Sequence, residues 1–172
     1  ADPETVARGE YIFKYTALCW GCHGSEEDID ASPAGGTEFD LRKVGPPGGF
    51  GIFYASNLTP DRETGLGAWS DGEIVRALRV GIDREGRVLT LMPFEWYRGM
   101  SDDDLLAIVA YMKSLPPVRN PVPANQPSFL QPSDDMSIFE ANQFQLEKAW
   151  TDEQANKFLG WFYYGGGMEF YN

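Results

Sequence analysis

Histidine and cysteine are the scarcest reactive residues in this 172-residue chain, which holds one of the former and two of the latter. A single imidazole excludes bis-histidine ligation of a metal within this chain. Basic residues are also few: 14 Lys and Arg stand against 26 Asp and Glu, for a formal charge of −12. A nucleic-acid partner is therefore not expected, because affinity for a polyanion comes mainly from Lys and Arg that neutralise phosphates. The acidic surface instead keeps the chain soluble or favours a partner with a basic docking face. No apolar run approaches the roughly 18 residues of a membrane-spanning helix, so no transmembrane segment is expected. The opening Ala1-Asp2-Pro3-Glu4 has neither a basic region nor an apolar stretch behind it, as expected of a mature chain whose signal peptide has been removed. With 42% hydrophobic and 23% charged residues, the composition is that of a globular protein, and the length suits one compact domain with an appendage.

All three scarce residues fall within Cys19-Trp20-Gly21-Cys22-His23. Haem attachment is the first reading: two thiols three residues apart can add to the two vinyl groups of one porphyrin, with the adjacent imidazole beneath the iron. A thioredoxin-like dithiol is the second, but such a pair follows a buried strand, and the residues ahead of Cys19 have helical spacing. Structural zinc is the third, and it needs four Cys or His ligands where only three exist. The haem reading is favoured: one haem c carried by Cys19 and Cys22, with His23 as the proximal ligand.

Because His23 is the sole histidine, a sixth ligand has to come from Met, Lys, water or nothing, and Met is the usual complement in electron-transfer haems. Met92, Met100, Met112, Met136 and Met168 are the candidates. Pro93 makes a helix through Met92 unfavourable and lets an extended loop present the thioether. Met100 stands directly before a helix cap, where it suits a hydrophobic staple, and Met112 lies in an apolar helical stripe, as a core residue would. Met92 is the favoured ligand, with Met168 in reserve.

Helix signals surround the motif. Asp2 can cap a first helix with Pro3 at its first position, and Val6, Gly9, Ile12 or Phe13, and Thr16 or Ala17 recur at helical spacing up to the motif, so the cysteines are expected at the end of that helix. Ser70-Asp71-Gly72-Glu73 is a capping box ahead of Ile74, Val75, Ala77 and Leu78, with a stop at Gly81. A third helix opens at Ser101-Asp102-Asp103-Asp104, continues through Leu105, Ile108, Val109, Met112 and Leu115, and ends at Pro116-Pro117. Residues 24–69 are rich in Gly and Pro and are expected to form loop wrapped around the cofactor.

After this point the composition changes: six of the twelve prolines fall between residues 116 and 132, which predicts an extended strap. The last 40 residues are rich in aromatics, with a helix predicted from the capping-box pattern Thr151-Asp152-Glu153-Gln154 to about Tyr164 and stopped by Gly165-Gly166-Gly167. The expected division is a haem domain over 1–118 and a Pro-rich linker with an aromatic-rich extension over 119–172. That extension folds back over the haem domain or docks a partner subunit; membrane contact is a third and less favoured reading, because its helix carries mixed charge and is not a basic amphipath.

With Gly9 and Phe13, the pentapeptide from Cys19 to His23, Asn57-Leu58-Thr59-Pro60-Asp61, Thr64-Gly65-Leu66-Gly67, Trp69-Ser70, Met92-Pro93-Phe94 and the run from Ser101 to Pro116 in view, residues 1–118 resemble class I cytochromes c. They look most like the bacterial cytochrome c units found with periplasmic dehydrogenases. The resemblance implies an all-α fold of about three core helices around one haem c, with the first and last helices crossing at Gly9 against Ile108 and Tyr111. It also implies Met92 as the distal ligand and a periplasmic location. Pro46-Pro47 matches only loosely the loop whose proline carbonyl holds the proximal imidazole, so the acceptor for His23 is left unassigned.

The function expected is one-electron transfer, not catalysis, by a soluble carrier or by a subunit of a larger oxidoreductase or respiratory complex, with a redox partner protein. The alternative is a gas-binding or peroxidase-like haem, which would need an open distal position and polar groups there.

Overall fold

The computed structural model describes residues 1–25, 27–44, 50–89 and 91–127. Helix α1 spans Pro3–Tyr11. The Asp2 carboxylate accepts from the Thr5 backbone N–H at 2.9 Å and from its hydroxyl at 2.7 Å, so the cap read from the sequence is made. The chain then widens into a π-helical turn over Ile12–Thr16, closed by the Ala17 N–H donating to the Ile12 carbonyl at 2.7 Å. Three consecutive residues of this wider turn, Ile12, Phe13 and Lys14, are buried.

Leu18 follows with left-handed backbone, φ +53°, and the cysteines occupy a separate one-turn helix, α2, over Cys19–His23. The expectation of one helix running into the motif is corrected here: the π turn and the left-handed residue re-aim the chain before Cys19. A non-glycine residue in that region is held by its surroundings. One restraint is the Tyr97 hydroxyl, which donates to the Ala17 carbonyl at 2.9 Å.

Helix α3, Asp71–Val80, has both halves of its capping box, and Gly81 ends it with φ +67°. A short helix α4 covers Phe94–Tyr97. Helix α5 runs over Asp102–Ser114, with the Ser101 hydroxyl accepting from the Asp104 N–H. Its residues Leu105, Ala107, Ile108 and Val109 are at most 1% exposed, and each of the larger ones contributes about 1.5–3 kcal/mol by leaving water. Helices α1 and α5 cross at Gly9, and the Phe13 and Tyr111 rings meet at 5.2 Å beside the crossing. Ile12, Phe13, Ala17, Leu66, Ile74, Leu78 and Tyr97 complete one core with the α5 residues.

The all-α expectation is also corrected. A small antiparallel sheet has β2, Gly51–Tyr54, between β1, Glu38–Asp40, and β3, Gln126–Pro127. Phe39 pairs with Phe53, and Ile52 pairs with Gln126. Two of these strands lie in the segment read as loop, and they are too short to show a periodic signal. The third comes from the Pro-rich strap, far along the chain.

Beyond α5 the strap is extended and hydrogen-bonded to the body. The Val118 carbonyl accepts from Asn57 Nδ2 at 2.8 Å, Arg119 reaches Glu63, and Asn125 Oδ1 accepts from the Tyr54 N–H at 2.8 Å. The strap up to Pro127 belongs to the same compact unit as the helices. The predicted aromatic helix, Met136 and Met168, and Pro46-Pro47 lie outside the described residues. No helix among the described residues is long and apolar enough to cross a membrane.

Candidate functional site

On the single turn of α2, Cys19 and Cys22 are one helical step apart on the same side, the separation at which side chains on a turn are neighbours. Cys19 is half-buried and Cys22 exposed, and a Cβ added at Gly21 would meet nothing within 4 Å. The turn is therefore anchored at one end and open at the other. Its anchor is Trp20, which packs against the core and whose indole N–H donates to the Lys14 carbonyl at 2.9 Å. Lys14 is 8% exposed and its ammonium bridges Glu10 at 2.6 Å and Asp30 at 2.5 Å. These carboxylates raise its pKa and keep it charged. Burial pushes the Cys19 thiol up to about 12, opposite to the depressed thiol that a disulfide oxidoreductase requires.

His23 lies at the end of the same turn, and its Nδ1 is 2.6 Å from the Ser56 carbonyl oxygen. A carbonyl can only accept, so Nδ1 carries the proton and the lone pair is on Nε2. Burial lowers the imidazole pKa, and the bond to Ser56 opposes that shift in part. The ring is thus a neutral, oriented donor, the form in which histidine binds a metal. Its own carbonyl accepts from the Gly35 N–H at 2.8 Å.

Ser56 is the partner that sequence reasoning missed. A main-chain carbonyl carries no side-chain signature, and the only available signal was its position just ahead of Asn57-Leu58-Thr59-Pro60. The side chains of Asn57 and Thr59 explain how Ser56 is held. Asn57 and Thr59 are 2% and 0% exposed. Asn57 Oδ1 accepts from the Thr59 N–H at 2.9 Å and from its hydroxyl at 2.7 Å, and Asn57 Nδ2 also donates to Thr64 Oγ1. Buried polar groups that are fully paired specify one loop conformation.

Met92 is half-buried and packs against the core that also supports Cys19, Trp20, Leu58 and Trp69. Its loop is held from both sides: Met92 N–H donates to the Leu89 carbonyl at 3.1 Å, and the Phe94 N–H donates to the Met92 carbonyl at 2.8 Å. The Leu89 N–H in turn donates to the Gly81 carbonyl at 2.7 Å. Met112 is a core residue, 2% exposed, and Met100 packs at the core edge. The cysteine turn and the Met92 loop therefore border one apolar cluster. Among the described residues no group of three or more His, Cys, Asp or Glu side chains could hold a metal ion.

Comparison with known proteins shows the family. The family model for cytochrome c matches residues 6–116. A nicotinate dehydrogenase subunit of Pseudomonas putida is 47% identical over 81 residues, 46% of this chain and 7% of that protein. The cytochrome c subunit of the quinone alcohol dehydrogenase of Gluconobacter oxydans is 35% identical over 121 residues, 69% of this chain and 23% of the relative. The gluconate 2-dehydrogenase cytochrome c subunit of Pantoea cypripedii is 34% identical over 122 residues, 69% of this chain and 25% of the relative. The chain spans a quarter or less of the length of these relatives. With the family match running from α1 to the end of α5 and taking in both the Cys19–His23 turn and the Met92 loop, this chain belongs to the cytochrome c family.

Proposed function

We propose that this chain is an electron-transfer unit carrying one haem c on Cys19 and Cys22, with His23 and Met92 as the axial ligands. Membership of the cytochrome c family implies covalently bound haem c. The count of one rests on the single Cys-x-x-Cys-His in the chain. The observation that carries the reading is the 2.6 Å bond from His23 Nδ1 to Ser56, which leaves Nε2 as the metal-binding nitrogen in a ring that cannot rotate freely. The residues fit the group: two thiols on one turn, an oriented imidazole beside them, and half-buried apolar side chains at Trp20, Leu58, Trp69 and Met92 that a porphyrin face would cover.

When bound, the iron supplies one-electron chemistry between its ferric and ferrous states. The protein's part is to keep that change small in energy. Ser56 holds the imidazole, the Leu89, Gly81 and Phe94 backbone bonds hold the thioether loop, and the apolar side chains limit the water that would reorganise. A partner needs only to approach an exposed haem edge, where a small and transient interface suffices.

The named subunits among the relatives support a working place beside a dehydrogenase, with this chain taking electrons from it and passing them on. A periplasmic location is part of the same proposal, and the formal charge of −12 favours a partner with a basic face. The purified holoprotein tests the reading. Haem that survives acidified acetone at one per chain is expected. Met92→Ala should abolish the weak red-end absorption of a thioether on ferric haem and lower the potential; retention of both would remove Met92 from the site.

A further inference from the structure

We infer that the strap Val118–Asn120 is a positioning element for the proximal histidine, clamping the His23–Ser56 hydrogen bond from behind and so tuning the potential of the bound iron. The inference rests on the haem reading above.

Two branches of contact run from the strap to His23. In the first, Asn120 Nδ2 donates to the Ala34 carbonyl at 3.0 Å and to the Gly35 carbonyl at 3.3 Å. Gly35 has φ +72°, and a Cβ there would lie 2.5 Å from the Ser56 carbonyl carbon and oxygen. Its N–H donates to the His23 carbonyl. Gly35 is therefore wedged between the main chain of His23 and the carbonyl that receives the His23 ring proton, and Asn120 holds it there.

In the second branch, the Val118 N–H donates to Thr59 Oγ1 at 3.1 Å and the Val118 carbonyl accepts from Asn57 Nδ2 at 2.8 Å. Asn57 directly follows Ser56, and its Oδ1 holds Thr59. The Asn120 N–H also donates to Thr64 Oγ1 at 3.0 Å, which joins the two branches. The Ser56 carbonyl is thus fixed from the Gly35 side and from the Asn57 side by one three-residue segment.

A hydrogen bond from Nδ1 gives the imidazole more electron density to donate, which favours the ferric state. Loosening the clamp should weaken that bond and raise the reduction potential. Asn120 and Thr59 are positioning residues, since neither touches the ligand atoms.

The test uses the holoprotein with covalent haem verified on a denaturing gel. Asn120→Ala is expected to raise the midpoint potential and to speed exchange of the His23 Nδ1 proton, read by NMR in the ferrous form, by about tenfold, the factor for one ordinary hydrogen bond. Thr59→Val should do the same, and Thr59→Ser, which keeps the hydroxyl, should restore both readouts. If Asn120→Ala does not accumulate, the Thr59 pair decides the question. Lower unfolding stability with the potential and proton exchange unchanged would overturn the clamp while leaving the electron-transfer reading intact. A wild-type chain without covalent haem would overturn both.

Discussion

Gly9 on α1 and Ala107 on α5 meet backbone against backbone: a Cβ at Gly9 would lie 1.9 Å from the Ala107 carbonyl oxygen and 3.0 Å from Tyr111 Cβ. The obstacle is main chain and cannot swing aside, so the two helices would have to separate. Gly9→Ala is expected to destabilise the fold by about 2 kcal/mol or more, in the range of overpacked cores, and to lower the urea midpoint with the slope unchanged. A wild-type midpoint would show that the crossing tolerates a wider separation.

Lys14 gives an ordered pair of outcomes. Its side chain is 10% exposed, whereas those of Glu10 and Asp30 are 45% and 73% exposed. Loss of the ammonium therefore leaves two carboxylates that water can solvate. Lys14→Met, which fills the buried stem, should cost less than Lys14→Ala, which leaves a void worth about 2 kcal/mol or more. Thermal unfolding of both variants checks the order. Equal losses would mean that the ion pairs outweigh the packing.

Gly81 closes α3 with φ +67°, and a Cβ there would come within 2.2 Å of the Phe94 ring. Gly81→Ala would combine a left-handed backbone penalty of about 1 kcal/mol with displacement of Phe94, whose N–H holds the Met92 carbonyl. Reduced stability together with weakened red-end absorption is expected. A stability loss with unaltered absorption would separate Phe94 from the Met92 loop.

Acid should unfold the protein through its held carboxylates. The Thr64 hydroxyl and N–H lower the Asp61 pKa, and Arg8 with Ser101 lowers that of Asp104. With folded values below unfolded ones, the unfolded chain binds more protons as pH falls. Their stabilisation is therefore complete above the ordinary carboxylate value of about 4 and is lost as pH falls through the depressed folded values. The urea midpoint should be flat from about pH 5 to 7 and drop below about 4. Asp104→Asn should flatten part of that drop, and an identical acid profile would exclude this carboxylate from the effect.

Much of the helical frame was legible in local residue order. Asp2, Ser70 with Glu73, and Ser101 all cap where read, because a cap joins residues only three apart. The Gly9 crossing was legible through the family resemblance, although its partner carbonyl belongs to Ala107. The break before the motif was not legible. Ile12, Phe13 and Lys14 satisfy an ordinary helical pattern well enough to hide the π turn, and Leu18 is a residue with no preference for left-handed backbone. The sheet escaped notice because its strands are two to four residues long and β3 pairs with residues far from it in the chain, Gln126 with Ile52.

The amino-acid order by itself determined the ends of α3 and α5 and the concentration of every cysteine and histidine in five residues, because capping and motif spacing are short-range relations between side chains. Tertiary structure alone decided that Ser56 receives the His23 proton and that the strap from Val118 to Asn120 holds the loop presenting it. Those contacts run through main-chain groups, which every residue possesses, across separations of 33 to 86 positions, and only the folded chain selects among such equivalent partners.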